Sequence, residues 1–349
     1  MSQTRSGTGT NETAWQRMPG VLLLLLAFAV WVPLAFHVMA GQSSSTQQRL
    51  ILLPAIPATL VLYGAVLRAL RHSTLAKAGA SLVFFWLLIA VLAPFLPLAD
   101  PNRPIAPFAA PGTWAQDHFF LLGADLKGRD MLSRTIWGCQ RVLVWGTSAT
   151  AVAYVLGTCA GLAAGYWRGL TDSVLSFLAN TALSFPVMVL FILVLNILGP
   201  GGFNIIIAVT FATAPAIMRI VRALTIGLRE RDYVKAAQMR GERAAYIMLA
   251  ELLPNMRGTL LADLSLRLGY TIVAITALTF LGLGLQPPDP DWGLMIAEAA
   301  RVAVLWKYSH MLLIPAFAVS SLVLGCNLIA DGMAEAKGDT AQAARQVLS

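Results

Sequence analysis

The sequence predicts an all-α polytopic membrane protein of about eight spans, and three observations carry that prediction. Of the 349 residues 57% are hydrophobic and only 12% are charged, against about 25% charged residues in an ordinary soluble domain. So few charges cannot cover a folded surface with water-compatible groups. That excludes a soluble globular enzyme, a disordered chain and a nucleic-acid binder of the usual kind. The mean hydropathy is +0.70. The net charge of +8 and a pI near 9.8 fit basic loops on the cytoplasmic side of a membrane better than a nucleic-acid groove. Three cysteines, Cys139, Cys159 and Cys326, lie within or at the ends of apolar runs without CxxC spacing, so they make neither a disulfide framework nor a zinc site.

A helix rises about 1.5 Å per residue, and a hydrocarbon core of about 30 Å needs roughly 20 apolar residues. Runs of that kind lie near Val21–Met39, Leu50–Leu70, Ala78–Leu98, Val142–Tyr166, Val174–Leu198, Phe203–Met218, Leu260–Leu283 and Met311–Ala330. Pro54 and Pro57 weaken the second run, and the sixth is short. Pro186 is expected to kink the fifth. The first run has a second reading: Arg17, an apolar stretch and Val38-Met39-Ala40 before Gly41 resemble a signal peptide, though the stretch exceeds a usual h-region.

Lys and Arg beside the spans set the orientation. Arg68, Arg71 and Lys77 separate spans two and three, and Arg219, Arg222, Arg229, Arg231, Lys235, Arg240, Arg243 and Arg257 lie between spans six and seven. Placing both stretches in the cytoplasm puts the amino terminus inside, and an even number of crossings returns the carboxy terminus there. The organisation expected is an N-terminal tail with two spans over 1–77, a transmembrane unit over 78–338 and a cytoplasmic tail over 339–349.

Two connecting segments carry patterns of their own. The outer segment opens with Pro101, Pro104, Pro107 and Pro111 and ends in LGADLKGRDMLSR, residues 122–134. There Gly123 and Gly128 permit tight bends, and Asp125, Arg129, Asp130 and Arg134 can pair with one another. A solvated cap and a functional contact surface are both open readings. The inner segment, Ile226–Arg257, is basic and helix-prone. YVKAAQMRG (233–241) places Ala236 and Ala237 before Gly241, a natural helix stop. ERAAYIMLAELLPN (242–255) then starts a second helix, expected to end at Pro254, with Tyr246, Leu249, Leu253 and Ala245, Met248, Leu252 as its apolar stripe. Such a hairpin is either a docking element or an amphipathic helix on the inner leaflet.

YVKAAQMRGERAAYIMLAELLPN resembles the EAA loop of permease subunits of ATP-binding-cassette (ABC) importers. LGADLKGRDMLSR and FLGLGLQPPDPDWGLM (280–295) resemble stretches of the dipeptide/oligopeptide permease family, second-permease type, and Pro215, Arg219 and Arg222 fall where that family has P-x-A-R-x-x-R. The resemblance covers about Ala78 to Gly338. It implies a six-span type I importer permease core plus two extra N-terminal transmembrane helices, in the bacterial cytoplasmic (inner) membrane. It also implies the partners: a second homologous permease, two ATPases that hold ATP-Mg, a periplasmic solute-binding protein and membrane lipids, with no nucleic acid.

On this resemblance Tyr233, Lys235, Ala236, Ala237, Gly241, Leu253, Pro254 and Asn255 form the ATPase-coupling hairpin. Asp125, Gly128, Arg129, Asp130 and Arg134, with Gln286, Pro287, Pro288, Trp292 and Gly293, receive the solute-binding protein. Trp292 also suits the membrane–water boundary. Lys235 stands where the family has a glutamate, and Glu251-Leu252-Leu253-Pro254 where many relatives have His-x-Leu-Pro.

No Walker A, HExxH or G-x-S-x-G pattern occurs, and His37, His72, His118 and His310 are scattered, so an enzyme has no chemistry to stand on and no cofactor is expected on this chain. Within the spans, Asp263 and Arg267 stand four apart with the acid first, as an intrahelical pair or as part of a gate. A chain with so few intramembrane titratable groups is poorly equipped for proton or sodium coupling. An ion-gradient-driven carrier and a membrane scaffold without transport are the alternatives to an ATP-driven importer. Gly157, Gly161 and Gly165 repeat every four residues, a small-residue face for packing within the subunit or against a partner.

Overall fold

The computed structural model describes Trp31, Ala35 and residues 52–70, 73–301 and 306–348, the stretch after Glu335 in backbone only. Apart from Trp31 and Ala35 the first expected span lies outside the described residues; Trp31 Nε1 donates to Thr147 Oγ1 at 2.9 Å and Ala35 is buried. The ordered helices are α1 (Ala55–Ala69), α2 (Thr74–Leu92), α3 (Met131–Trp167), α4 (Gly169–Leu183) and α5 (Val187–Leu198). They continue with α6 (Gly202–Arg229), α7 (Asp232–Met239), α8 (Ala244–Phe280), α9 (Trp292–Ala300) and α10 (His310–Leu348).

Among the described residues five helices are long and apolar enough to cross a membrane: α2, α3, α6, α8 and α10. The fifth expected span is not one helix. It is α4 and α5, bent by 91° at the break before Val187, because Pro186 has no N–H for a continuing ladder and fits only at the start of the next helix. Counted as one broken span, the pair brings the total to six. The second expected span is shorter than its apolar run: α1 is 15 residues long, with Pro54 at its N-cap and Pro57 in its first turn.

Helix α3 begins at Met131, well before the expected Val142, because the Asp130 side chain caps it by accepting the Ser133 N–H at 2.8 Å. At 37 residues it extends about 55 Å, far beyond a bilayer core of about 30 Å, so one end stands outside the hydrocarbon. Around that end the Pro-rich segment folds into a two-stranded ribbon, β1 (Thr113–Ala115) antiparallel to β2 (His118–Phe120), with Thr113 opposite Phe120. Its two-residue turn, Gln116 and Asp117 at φ 49° and 60°, matches the twist of a tight hairpin. The sequence reading had only a loop there.

The glycine face of α3 packs within the subunit. A Cβ on Gly157 would meet the Ile217 Cβ at 2.7 Å, one on Gly161 the Val221 Cβ at 2.6 Å and one on Gly165 the Thr225 Cβ at 2.6 Å, all on α6. Three empty Cβ positions on one face let α3 and α6 run in close contact. The main core lies between α2, α3, α5, α6, α8 and α10, centred on residues such as Trp86, Trp145, Phe191 and Ile272.

Candidate functional site

The inner hairpin is built by α6, α7 and the start of α8. Helix α7 ends in a Schellman closure: Glu242 N–H donates to Ala237 O at 3.2 Å and Gly241 N–H to Gln238 O at 3.0 Å, with Gly241 at φ 75°. Val234 and Ala237 turn inward onto Ile217 and Val221 of α6 and onto Ile247, Met248, Leu252 and Met256 of α8. The hairpin is therefore bolted to both adjoining spans by its own apolar core.

Two expectations for α8 are corrected. Residues Ile247–Leu252 are π-helical, and the wider turn sets inward positions five apart, Ile247 with Leu252, rather than three or four. Of the expected stripe, Met248 and Leu252 are buried, but Ala245, Tyr246 and Leu249 face outward. The helix also does not end at Pro254. That proline sits at the first turn of the α-helical stretch that follows the π segment, and the chain runs on to Phe280.

Among the expected hairpin residues, Lys235, Gly241, Pro254 and Asn255 are exposed, Ala236 and Leu253 half-buried and Ala237 buried. Asn255 Nδ2 donates to Glu251 O at 2.6 Å. Tyr233 is at the surface, its phenol pushed up from its ordinary value by partial burial and by the charge of Glu251. Met239 (82% exposed), Tyr246 and Leu249 leave apolar surface on the hairpin. Arg240 lies 3.7 Å from Glu242 and 3.9 Å from Glu251 across the turn. Beside the hairpin, Arg222 of α6 grips Asp172 of α4 through two nitrogens, Nη2 to Oδ2 at 2.6 Å, and Arg168 meets Glu230 at 2.9 Å.

At the opposite end, 122–134 and 285–298 fold into one polar knot. Asp125 Oδ1 accepts the N–H groups of Lys127 (2.8 Å) and Arg129 (2.9 Å), and its Oδ2 accepts Arg129 Nε at 2.6 Å. Arg129 also grips Glu298, which Lys127 Nζ reaches at 2.8 Å. Burial favours the neutral form of Glu298, but Lys127, Arg129 and Arg134 outweigh it and hold the carboxyl below its ordinary value. Arg134, with no exposed surface, donates to Pro101 O at 3.0 Å. Gly128, at φ 81°, accepts the Ile105 N–H at 2.7 Å; a Cβ there would meet Pro107 N at 2.8 Å.

Trp292 presents no surface to solvent or lipid. It is fully buried, its Nε1 donates to Thr135 O at 2.9 Å, and its ring meets Trp86 edge-on at 5.0 Å. Asp291 caps α9 by accepting the Leu294 N–H at 3.1 Å; complete burial pushes its carboxyl up to about 6. Of the expected outer docking set, then, Asp125, Gly128, Arg129, Asp130, Arg134, Trp292 and Gly293 are interior, and Gln286, Pro287 and Pro288 are exposed.

Asp263 and Arg267 do meet: Arg267 Nε donates to Asp263 Oδ2 at 2.7 Å. Tyr154 OH of α3 also reaches that oxygen, at 2.6 Å, which ties α3 to α8. Glu298, Tyr154 and Asp172 are absent from the sequence reading. Glu298 left one trace, a lone acid in an apolar stretch; Tyr154 left none.

A family model described as "Binding-protein-dependent transport system inner membrane component" matches residues 157–336. The chain is 32% identical over 271 residues to the dipeptide transport system permease protein DppC of Alkalihalophilus pseudofirmus, covering 77% of this chain and 87% of the relative. It is 33% identical over 274 residues to the di/tripeptide transport system permease protein DppC of Pseudomonas aeruginosa, covering 77% and 89%. To the glutathione transport system permease protein GsiD of Escherichia coli O157:H7 it is 33% identical over 278 residues, covering 77% and 88%. With its long apolar helices and its hairpin bolted between two of them, the chain belongs to the inner-membrane permease components of binding-protein-dependent ABC importers, as a multi-pass protein of the cytoplasmic membrane.

Proposed function

We propose that this chain is the permease subunit of an ATP-driven importer of short peptides or a related small solute. A second permease completes the pathway, two ATPases bind ATP-Mg and a periplasmic binding protein delivers the solute. The observation that supports this most is the hairpin: its inner side is fixed to α6 and α8 by a buried cluster, while Met239, Tyr246 and Leu249 stay open. A rigid element with an apolar outer face suits a groove on another protein and transmits displacement instead of absorbing it. The chain has no nucleotide-binding pattern of its own, so the energy for a two-state change is supplied by whatever docks there. Lys235 projects from the same surface and calls for an acidic residue on the ATPase. On the other face the exposed Gln286, Pro287 and Pro288 receive the binding protein, next to Asp289, which Arg141 of α3 meets at 3.1 Å.

Gly241 gives the test. Its φ of 75° is strained for any side chain, although nothing crowds a Cβ there. Gly241→Leu is expected to leave membrane insertion intact, lower co-purification with the ATPase and uncouple ATP hydrolysis from uptake in proteoliposomes. Full uptake by the variant counts against the hairpin, and uptake by this chain alone along an ion gradient rejects the importer reading.

A further inference from the structure

The β1–β2 ribbon turns one side towards the start of α3. His118 and Phe120 share that side of β2; Phe120 is fully buried, and the two rings meet edge-on at 4.7 Å. On the opposite side Trp114 and Phe119 meet at 5.4 Å and stay exposed. His118 Nε2 lies 3.9 Å from Oδ1 of Asp130, the residue whose Oδ2 caps α3. Both atoms are buried, and among the described residues neither has a hydrogen-bond partner. At 3.9 Å they face each other without a bond.

His118 also lines a polar cavity of about 360 Å³. Gln116, Asp117 and His118 of the ribbon form one wall, and the segment 97–105, with Asp100 and Arg103, forms the other. The two walls are held differently. The 97–105 wall is tied to the start of α3 and to the polar knot: Ser133 Oγ donates to Ala99 O, Arg134 Nη1 to Pro101 O at 3.0 Å and the Ile105 N–H to Gly128 O at 2.7 Å. The ribbon joins the rest of the chain through Gly112 and Gly123, at φ 74° and 82°. Of its inward side chains only His118 is titratable. The charged groups around His118 are Asp130 from the start of α3, Asp100 and Arg103 from the far wall and Asp117 from its own turn. From α10, His310 Nε2 lies against Gly123.

We propose that His118 and Asp130 form a proton-operated clasp on the ribbon, closed by acid on the outer side of the membrane. A proton from the outer solution puts an N–H on both ring nitrogens and a positive charge on the ring. The Nε2–H then donates to Asp130 Oδ1 after an approach of about 1 Å, to the length of a charge-assisted bond. Both unmet polar atoms are satisfied, and the movable wall of the cavity is pinned to the cap of α3. Loss of the proton removes the charge, and the ribbon is held by Phe120 and its flanking backbone. Histidine is the side chain that ordinarily titrates between about pH 5 and 8, so the outer pH sets the clasped fraction. Burial raises the Asp130 carboxyl from its ordinary value, while the Ser133 N–H and the His118 charge act against it, so charging His118 also favours an ionised partner. The clasp goes beyond the importer reading and takes from it only the side on which the ribbon lies.

Hydrogen exchange read by mass spectrometry tests the clasp, on the full-length chain in lipid nanodiscs with its co-purifying partners. Protection factors over residues 113–120, corrected for the intrinsic effect of pH on exchange, are expected to be about tenfold higher at about pH 5 than at about pH 8. In His118→Gln, and in Asp130→Asn, which keeps the cap, that ratio is expected to fall below about twofold. His310→Gln is expected to keep the parent's ratio, and the amides of α7, at the far end of the molecule, are expected to show none. In right-side-out vesicles the same rise is expected when only the external buffer is acidified. A parent ratio near one overturns the proposal, and so does a ratio that survives His118→Gln or disappears in His310→Gln. An equal change in α7, or a response to internal acid alone, overturns it as well.

Discussion

Buried charge is the theme at the scale of single residues. Arg129 has a 5% exposed side chain and shares two acids, Asp125 and Glu298. Removing one partner of a buried pair typically costs about 3–5 kcal/mol, because the remaining charge stays out of water. Since Arg129 keeps Asp125, Glu298→Ala is expected near the lower end, about 3 kcal/mol, seen as a lower melting temperature in detergent. Lys127, 55% exposed, touches the same acid, and Lys127→Ala is expected to cost less than about 1 kcal/mol. Equal losses for the two variants would show that burial does not govern the knot.

Asp291 gives a pH dependence. Its folded carboxyl titrates near 6, above the ordinary 3.8, because burial disfavours its charge. Below 3.8 both the folded and the unfolded chain hold the proton and no penalty exists. As pH rises from there to about 6 the unfolded chain releases its proton first, so this residue's contribution turns against the fold. Asp291→Asn keeps the cap and removes the charge. The variant is expected to melt like the parent at pH 4 and increasingly above it towards pH 7, by on the order of 3 kcal/mol. A difference that does not change with pH would rule this out.

Helices α3 and α6 dominate at the scale of elements. Their contact depends on three glycines spaced by four, with no room for a side chain. Gly161→Leu is expected to cost about 1–3 kcal/mol or more by overpacking against Val221, with helix content by circular dichroism unchanged. Gly227 in α6 is the control. Nothing lies within 4 Å of a Cβ there, so Gly227→Ala should stabilise the helix by about 0.5–1 kcal/mol. The glycine spacing was legible in the sequence, whereas the partner was not, since periodicity defines a face and says nothing of what covers it. The π turn at Ile247–Leu252 was equally hidden, because a stripe drawn at 3.6 residues per turn assumes the helix type it is meant to reveal.

The whole molecule is a bundle braced at both ends. The polar knot ties α3 and the segment leading into it to α9 at one end, through Trp292 with Thr135 and Arg129 with Glu298. The hairpin core ties α6 to α8 at the other. Between them the Tyr154–Asp263 bond joins α3 to α8, and the bend at Pro186 breaks the span made by α4 and α5.

Membrane residence, helix class, the long apolar runs and the family were written in the sequence, because each depends on composition or on residues close together along the chain. A proline that cannot continue a ladder, a glycine that permits a left-handed turn and an acid three residues from an amide act locally. Which charges are interior, where Glu298 and Tyr154 find their partners, and that the outer motifs are mostly frame and not surface were decided only by the tertiary structure. Those outcomes follow from burial, and burial belongs to segments more than a hundred residues apart that the fold brings together.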